Sequence, residues 1–393
     1  MTDRINPLLL SVEAPPIAEA WRWVQGREFP ADKPLIDLCQ AVPGYPPAEE
    51  LSAHLAEQVH RPDTARYTGI NGIPPLREAL AAKMSALYGA PVPAERTLVT
   101  SGCNQAFVVA VMTLARAGEN VILPAPWYFN HKMTLDMLGI EARPLPCREE
   151  DGMLPDPTAA EALIDANTRA VVLITPNNPT GAIAPPALID RFYELCERRG
   201  IRLLLDETYR DFPDWQGAAP HGLFARPDWG RTLIHLYSFS KVYSLAGYRA
   251  GAVVGDPALL EQAGKVMDCL SICAPHVAQK AALFGLENLD GWVAEKRADI
   301  AGRVAAFRNA MEASGTRYRI ASIGAYFAYV RHPFEGRPAM EVGQELATRH
   351  NILCLPGPMF GPGQDAFLRF AFANLDASVM PEVARRLVES ERG

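Results

Sequence analysis

The chain has 393 residues, of which 49% are hydrophobic and 21% charged, and its formal net charge is −7. This length predicts two domains or one large α/β domain, and the composition is that of an ordinary soluble globular protein. The negative charge, together with the lack of any basic run of five or more residues, argues against a nucleic-acid-binding protein.

The cysteines and the N-terminus suggest a reducing compartment. The seven cysteines are an odd number and include no CxxC pair, so reduced thiols are expected and neither a disulfide framework nor a metal site is predicted. Residues 1–16 lack the features of a signal peptide, and the longest apolar runs are shorter than a membrane span. We expect a cytoplasmic protein that binds neither membranes nor nucleic acid.

The middle of the chain alternates short apolar runs with longer helical patterns. This alternation predicts a parallel sheet that is buried on both faces by helices. The predicted strands are residues 97–100, 120–123, 170–175, 202–205, 232–237 and 250–254, and the main predicted helices are residues 105–116, 131–138 and 186–199. We expect a large α/β domain over residues 46–280.

Beyond Pro275 the pattern changes to that of an α+β unit. The predicted elements are a helical stretch over 276–313 that is interrupted near 288–291, strands at 317–321, 326–330, 352–355 and 367–372, and a helix at 340–350. Residues 1–45 contain no complete unit of their own. We therefore expect a smaller domain formed by residues 1–45 and 281–393.

Polar side chains follow several of the predicted strands, and ligands bind at the carboxyl ends of strands in open parallel sheets. Lys241, in the segment Ser238-Phe239-Ser240-Lys241, follows one apolar strand. A lysine that loses its proton through burial becomes a nucleophile for an aldehyde, although most lysines are solvated surface residues. Arg249 could clamp a phosphate together with Ser238, and a surface ion pair is its alternative role.

Two further segments follow predicted strands. Gly102, Cys103 and Asn104 stand between a strand and a helix, where free backbone N–H groups can bind an anion or simply cap the helix. Asp206, followed by Tyr209, comes directly after a buried strand. A half-buried carboxylate needs a partner, for which a protonated ring nitrogen is suitable, and a helix cap is the alternative.

The remaining candidates are a rigid loop, two aromatic residues and one arginine. The loop Asn177-Asn178-Pro179-Thr180-Gly181 exposes two amides after a core strand, more than a plain turn requires. Trp127 and Tyr128 could each stack on a planar ring or pack in the core. Arg369 lies in an apolar strand, where it needs a carboxylate from either the protein or a substrate.

Taken together, these segments resemble the class I/II aminotransferases, the fold type I pyridoxal-phosphate enzymes. The resemblance covers about residues 38–373, and the motifs occur in the order of that family: YTGINGIPPLREAL (67–80), SGCNQA (101–106), NNPTG (177–181), DETY (206–209), SFSK (238–241), GYR (247–249), GAYFAYV (324–330), PGPMFG (356–361) and LRFAFA (368–373). It implies a mostly parallel central sheet flanked by helices, with a smaller α+β domain.

The resemblance also implies a role for each matching residue. Lys241 would form the internal aldimine with pyridoxal 5'-phosphate, and Asp206 would keep the pyridine nitrogen protonated. Arg369, with Asn178, would bind the substrate carboxylate. The remaining cofactor ligands would be Tyr209 and Asn178 at the ring oxygen, Ser238, Arg249, Gly102, Cys103 and Asn104 at the phosphate, Trp127 in preference to Tyr128 on the ring face, and Tyr67 from the neighbouring subunit of a homodimer.

The implied activity is transfer of an amino group between an amino acid and a 2-oxo acid. The same lysine, aspartate and phosphate site would also serve a β-lyase, a decarboxylase or a synthase. A non-enzymatic sensor is disfavoured because no basic helix-turn-helix segment accompanies the motifs. Ala41 stands where the family usually has glycine, and no role is assigned to it. No second arginine can be picked out as an anchor for a dicarboxylic substrate, which favours a neutral, apolar or aromatic amino acid as donor without identifying it.

Overall fold

The computed structural model describes residues 4–392, so the first three residues of the predicted 1–45 segment and Gly393 lie outside the described residues. The described residues form three sheets. Their strands are β1 (Ile36–Asp37), β2 (Thr97–Thr100), β3 (Asn120–Ala125), β4 (Glu141–Pro146), β5 (Thr168–Ile174), β6 (Arg202–Asp206), β7 (Leu233–Ser238), β8 (Gly251–Val254), β9 (Arg319–Gly324), β10 (Phe327–Arg331), β11 (Ile352–Leu353), β12 (Leu355–Pro356) and β13 (Phe367–Ala371).

Helices connect and cover these strands. They are α1 (Pro7–Ser11), α2 (Pro16–Arg22), α3 (Glu49–Val59), α4 (Pro74–Tyr88), α5 (Cys103–Leu114), α6 (Phe129–Met137), α7 (Pro157–Leu163), α8 (Pro186–Arg199), α9 (Phe239–Val242), α10 (Pro257–Ser271), α11 (His276–Asn288), α12 (Asp290–Ser314), α13 (Ala339–Arg349) and α14 (Met380–Ser390). Within residues 4–392, none of them combines the length and apolar character needed to traverse a lipid bilayer.

The largest sheet has seven strands in the order β2-β8-β7-β6-β5-β3-β4. All neighbouring strands in it are parallel except β8, which runs antiparallel to both β2 and β7. Alternate residues along its strands enter two separate apolar clusters, as Leu203 and Leu205 enter one and Leu204 the other. This alternation places packed side chains on both faces, as the continuous apolar runs predict.

The second and third sheets use the later part of the chain. β12, β13, β10 and β9 form an antiparallel sheet, and β1 pairs in parallel with β11. The pairing of Ile36 with Ile352 joins the N-terminal segment to this later part. We keep the division into residues 46–280 and a domain from both termini as a proposal, which these pairings support.

The structure differs from the sequence-based prediction chiefly at one edge strand. The predicted strands omit β4, which closes one edge of the large sheet. Its sequence is EARPLP and most of its residues are partly or fully exposed, so it lacks the apolar run used to find strands. Proline is tolerated in such an edge strand because its missing N–H can face outward. Helix α8 has the predicted bounds, 186–199.

Candidate active site

Four strand ends meet at the end of the seven-stranded sheet where its parallel strands reach their carboxyl termini. Asp206 ends β6 and Ser238 ends β7. Because β8 runs antiparallel, its first residue Gly251 pairs with Ser238 on one side and with Thr100 on the other. The residues that follow β2 and those that precede β8 therefore lie beside the ends of β6 and β7. A cavity of about 340 Å³ opens at these strand ends.

Lys241 lies in α9, the short helix that follows β7, and its side chain lines the cavity. Its ammonium group donates a hydrogen bond to the backbone carbonyl of Ala41. Burial lowers the pKa of Lys241 to about 8, and the nearby charges of Arg249 and Arg369 act in the same direction. At a given pH, a larger fraction of the Lys241 amine is therefore unprotonated than in an ordinary lysine.

Asp206 presents its carboxylate to the same cavity and is only 4% exposed. One carboxylate oxygen accepts hydrogen bonds from the Thr208 hydroxyl, at 2.7 Å, and from its backbone N–H, at 3.0 Å. The other lies 3.5 Å from Nε2 of the buried His131. Burial raises the pKa of Asp206, and the hydrogen bonds from Thr208 oppose that rise. A cation placed beside this carboxylate would be stabilised by it.

Gly102 and Arg249 lie against each other at the start of α5, and Arg249 lines the cavity. Gly102 has a φ of 83°, a left-handed backbone conformation, and a Cβ atom there would collide with the Arg249 guanidinium. Arg249 is held by the carbonyls of Ala246, at 3.0 Å, and Ser101, at 3.4 Å. Cys103 begins α5. Free N–H groups at the start of this helix and the guanidinium therefore lie side by side.

Arg369 also lines the cavity, lies on β13 and is 1% exposed. It donates to the side-chain oxygen of Asn178, at 3.2 Å, and to the carbonyl of Cys39. Its Nε has no hydrogen-bond partner, and no carboxylate among residues 4–392 forms an ion pair with it. A buried guanidinium in this state is suited to an incoming carboxylate.

The loop that carries Asn178 reaches from the large sheet to the antiparallel sheet. Gly181 in this loop has a φ of 74°, and a Cβ atom there would lie 2.6 Å from the carbonyl oxygen of Phe327. Only glycine fits this approach to β10. The loop thereby brings the Asn178 amide from the end of β5 to Arg369 on β13.

Aromatic side chains complete the wall. Tyr209 lines the cavity and packs against the rings of Tyr326 and Phe327, each at 5.2 Å between ring centroids. Tyr128 also lines the cavity and donates to the side-chain oxygen of Asn104, at 3.2 Å. Trp127 instead packs behind this wall against the backbone of Gly361.

Tyr67 does not line the cavity of its own chain and is 75% exposed. It precedes Thr68, whose backbone N–H lies 3.4 Å from the sulfur of Cys273. This segment therefore lies beside the C-terminal end of α10, where Leu270 in the helix and Ile272 just after it have exposed side chains.

Several residues in or behind the cavity wall are not among those singled out from the sequence. His131 and Thr208 hold Asp206, and Ile17 and Phe129 form part of the lining. His131 is stacked on Phe107 with 3.7 Å between ring centroids, and burial lowers its pKa to about 3, so it is neutral. No spacing rule links His131 to a carboxylate 75 positions later, so only the fold shows the pair.

A buried polar cluster lies directly behind Asp206. Glu207 is completely buried, lies 2.8 Å from Nε2 of His235 and accepts a hydrogen bond from the Tyr88 hydroxyl. The Arg210 guanidinium lies 3.2 Å from that hydroxyl, and His221 lies 3.6 Å from the carboxylate. Despite its burial, the pKa of Glu207 stays well below its usual value because His221 and His235 lie beside it. The cluster joins β6, β7 and α4.

The family model for aminotransferases of class I and II matches residues 33–387. The chain belongs to the class I and II aminotransferases. This aminotransferase is 28% identical over 358 residues to an aromatic aminotransferase of Arabidopsis thaliana, covering 90% of this chain and 88% of the relative. It is 29% identical over 323 residues to an arginine–pyruvate transaminase of Pseudomonas aeruginosa, covering 82% and 81% of the two chains.

Solved structures give the same fold. An aminotransferase from Mycobacterium tuberculosis superimposes with a TM-score of 0.88 at 24% identity, with 100% of each chain covered. The aspartate aminotransferase of Thermus thermophilus with maleate gives a TM-score of 0.88 at 21% identity, covering 98% of this chain and 99% of the other. The predicted fold type I architecture is confirmed.

The predicted activity is confirmed at the level of the family. This aminotransferase moves an amino group between an amino acid and a 2-oxo acid, and its family and fold depend in general on pyridoxal phosphate. The named donors of its relatives differ, since they include aromatic amino acids and arginine. Family membership therefore does not choose the donor.

Proposed function

We propose that this chain binds pyridoxal 5'-phosphate through a covalent bond to Lys241 and exchanges amino groups at the cavity that Lys241 lines. One observation carries the proposal. The Lys241 amine, the Asp206 carboxylate and the Arg249 guanidinium come from three separate segments and line a single cavity at the strand ends. A nucleophile for an aldehyde, a partner for a ring cation and a partner for a phosphate are thus combined.

The residues present fit this cofactor. The buried Asp206 carboxylate has hydrogen bonds from Thr208 but no charged cation against it, since burial keeps His131 neutral. A protonated ring nitrogen would supply that cation. Gly102 has no Cβ atom, and this leaves room for the Arg249 guanidinium beside the N-terminus of α5. Such a pairing of guanidinium and backbone N–H groups suits a phosphate.

We assign the other cofactor contacts by the same placement. Tyr209 and Asn178 would hydrogen-bond the ring oxygen, and Tyr128 would stack on the ring because it, rather than Trp127, lines the cavity. The phosphate would be held by Ser238, Arg249 and the backbone of Gly102, Cys103 and Asn104.

When bound, pyridoxal phosphate supplies an electron sink for the bond electrons at the Cα of the amino acid. Lys241 supplies the proton transfer. With the cofactor bound, its free amine would take the proton from the substrate Cα and deliver it to the cofactor carbon that carries the nitrogen, which a pKa of about 8 allows near neutral pH. The Asp206 carboxylate would keep the ring nitrogen of the cofactor protonated.

Arg369 and Asn178 would orient the substrate. The Arg369 guanidinium is buried without a carboxylate, so the α-carboxylate of an amino acid would complete its surroundings. Since Arg369 and Lys241 line the same cavity, a substrate held by its carboxylate presents its amino group and Cα toward the lysine.

We also propose a homodimer. Tyr67 is 75% exposed, and Ile70, Leu270 and Ile272 are further exposed apolar side chains in the two segments joined by the contact of Thr68 with Cys273. Exposed apolar side chains that occur together are typical of an interface. In a dimer that covers these side chains, Tyr67 would reach the phosphate site of the partner subunit.

A half-reaction tests the proposed function. We expect the cofactor-loaded protein, mixed with a suitable amino acid and no acceptor, to release one 2-oxo acid per bound cofactor and to lose the absorption band of the Lys241-linked cofactor. Chromatography of the oxo acid and the visible spectrum are the measurements. Persistence of the band while ammonia, a thiol or carbon dioxide accumulates would replace transfer with lyase or decarboxylase chemistry.

The pKa of Lys241 predicts how cofactor loading depends on pH. Only the neutral amine attacks an aldehyde, so we expect the rate at which the apoprotein takes up pyridoxal phosphate to rise with pH and level off above about 8. Below that value it should fall about tenfold per pH unit. Stopped-flow absorbance gives the rate. Nα-acetyl-lysine, whose side-chain amine is free, is the control. Its rate of reaction should keep rising through pH 9, because the pKa of that amine is about 10.4. The same continued rise for the protein would contradict the lowered pKa.

A further inference from the structure

The charges around the cavity restrict the side chain of the amino donor. Among the described residues that line the cavity, the cationic groups are Lys241, Arg249 and Arg369, and the only carboxylate is Asp206. On the proposed function, all four are already engaged by the cofactor and by the substrate α-carboxylate. Residues 4–392 therefore offer, at this cavity, neither a cation for a second substrate carboxylate nor an anion for a basic side chain.

Apolar side chains form part of the wall, next to the uncharged amide of Gln40. Ile17, Ala41 and Val42 come from the N-terminal segment and Phe129 from the start of α6. Arg369 itself lies between two aromatic rings, with its guanidinium 5.3 Å from the centroid of Phe327 and 5.2 Å from that of Phe360. A substrate side chain that extends from this place meets hydrocarbon surface.

Helix α2 fixes the position of Ile17. Ala20, on the same helix, is completely buried and Val24, just after it, is 4% exposed, both in a cluster that contains Phe129 and Phe360. Ile17 packs on this cluster as well. Because the helix is anchored by buried residues, Ile17 is held at the cavity wall and does not move with an exposed loop.

We propose that the amino donor is a neutral amino acid with an apolar side chain, held against Ile17, Val42 and Phe129. This inference rests on the proposed function and goes further by naming the substrate class. A charged side chain placed here would lose water and gain no partner of opposite charge, which disfavours it. An apolar side chain gains by burial, and each methylene group in such a pocket changes the specificity constant by about tenfold or more.

A donor panel tests the substrate class on the cofactor-loaded protein. Leucine, methionine and phenylalanine are compared with aspartate, glutamate and arginine through kcat/KM with one common 2-oxo acid. We expect the best apolar donor to exceed every charged donor by about 100-fold or more. A charged donor that equals or exceeds all apolar donors overturns the inference and leaves the proposed function intact. Failure of every donor, apolar and charged, to yield an oxo acid would defeat the proposed function instead.

Two substitutions at Ile17 test the wall directly. Ile17→Ala should lower kcat/KM for leucine and phenylalanine about tenfold, mainly through KM, and should change the value for alanine little, because alanine is too short to use that contact. Ile17→Arg should raise kcat/KM for glutamate relative to leucine by about tenfold or more, since it supplies the missing cation. An unchanged donor ratio in both variants would overturn the assignment of Ile17.

The matched control is Leu9→Ala. Leu9 lies in the same N-terminal part of the chain, on α1, but is 51% exposed and does not line the cavity. Its donor ratios should equal those of the unmodified protein. Retention of the bound-cofactor spectrum in all three variants shows that the fold and the cofactor site persist, so a changed ratio reports on the wall alone.

Discussion

Replacement of Lys241 by alanine is expected to lower kcat by about four orders of magnitude, the largest effect of any single change in the chain. The lysine is asked both to hold the cofactor and to move the Cα proton, and no other amine lines the cavity in residues 4–392. Turnover of the best donor in single-turnover and steady-state assays measures the loss. The absorption band of the lysine-linked cofactor should disappear as well.

The control for this change is Lys265→Ala. Lys265 lies on the exposed side of α10, where it bonds to Gln262 at 2.7 Å, so its removal should leave both the spectrum and the turnover unchanged. Borohydride reduction of the unmodified protein should attach the cofactor to the peptide that contains residue 241. Normal turnover by Lys241→Ala, or a label on another peptide, would end the assignment.

Replacement of Asp206 by asparagine is expected to lower kcat/KM by about three orders of magnitude. The amide has nearly the same volume and can keep the hydrogen bonds from Thr208, so the fold should persist. It carries no charge, however, and a buried cation that loses its anion costs about 3–5 kcal/mol. Asp206→Asn should therefore bind the cofactor but turn over slowly, as measured by donor kinetics and the visible spectrum.

Asp214→Asn removes an exposed carboxylate from the same loop region and serves as the control, with kinetics expected to match the unmodified protein. The dependence of kcat/KM on pH tests whether the charge of Asp206 matters in addition to its shape. If Asp206→Asn retained most of kcat/KM across the profile, the carboxylate would not be the partner of a ring cation.

Most of the large sheet could be predicted from its apolar runs, because a strand buried on both faces must be apolar along its length. The edge strand β4 could not, since its exposed prolines and charges break that pattern. The order of the motifs was enough to identify the family. It could not separate Trp127 from Tyr128, because adjacent residues differ only in the direction that the backbone gives each side chain.

Other parts of the site depend on contacts between distant positions. Arg369 meets Asn178 across 191 positions, and Lys241 meets the carbonyl of Ala41 across 200. Neither contact follows from local spacing. Ile17 reaches the cavity only because buried residues dock α2 against α6 and β12. The role of Tyr67 depends on a second subunit, so it remains a proposal.

The polar cluster behind Asp206 constrains how this chain can diverge. In it, Tyr88, Glu207, Arg210, His221 and His235 pack together in the interior, and hydrogen bonds join Tyr88 to Glu207 and Arg210 and join Glu207 to His235. Loss of one member leaves a buried charge without its partner and lowers stability. Replacement of all of them together by apolar residues of similar volume can leave stability unchanged. We therefore expect these five positions to change together in evolution, so that related proteins either keep all five residues or replace them together.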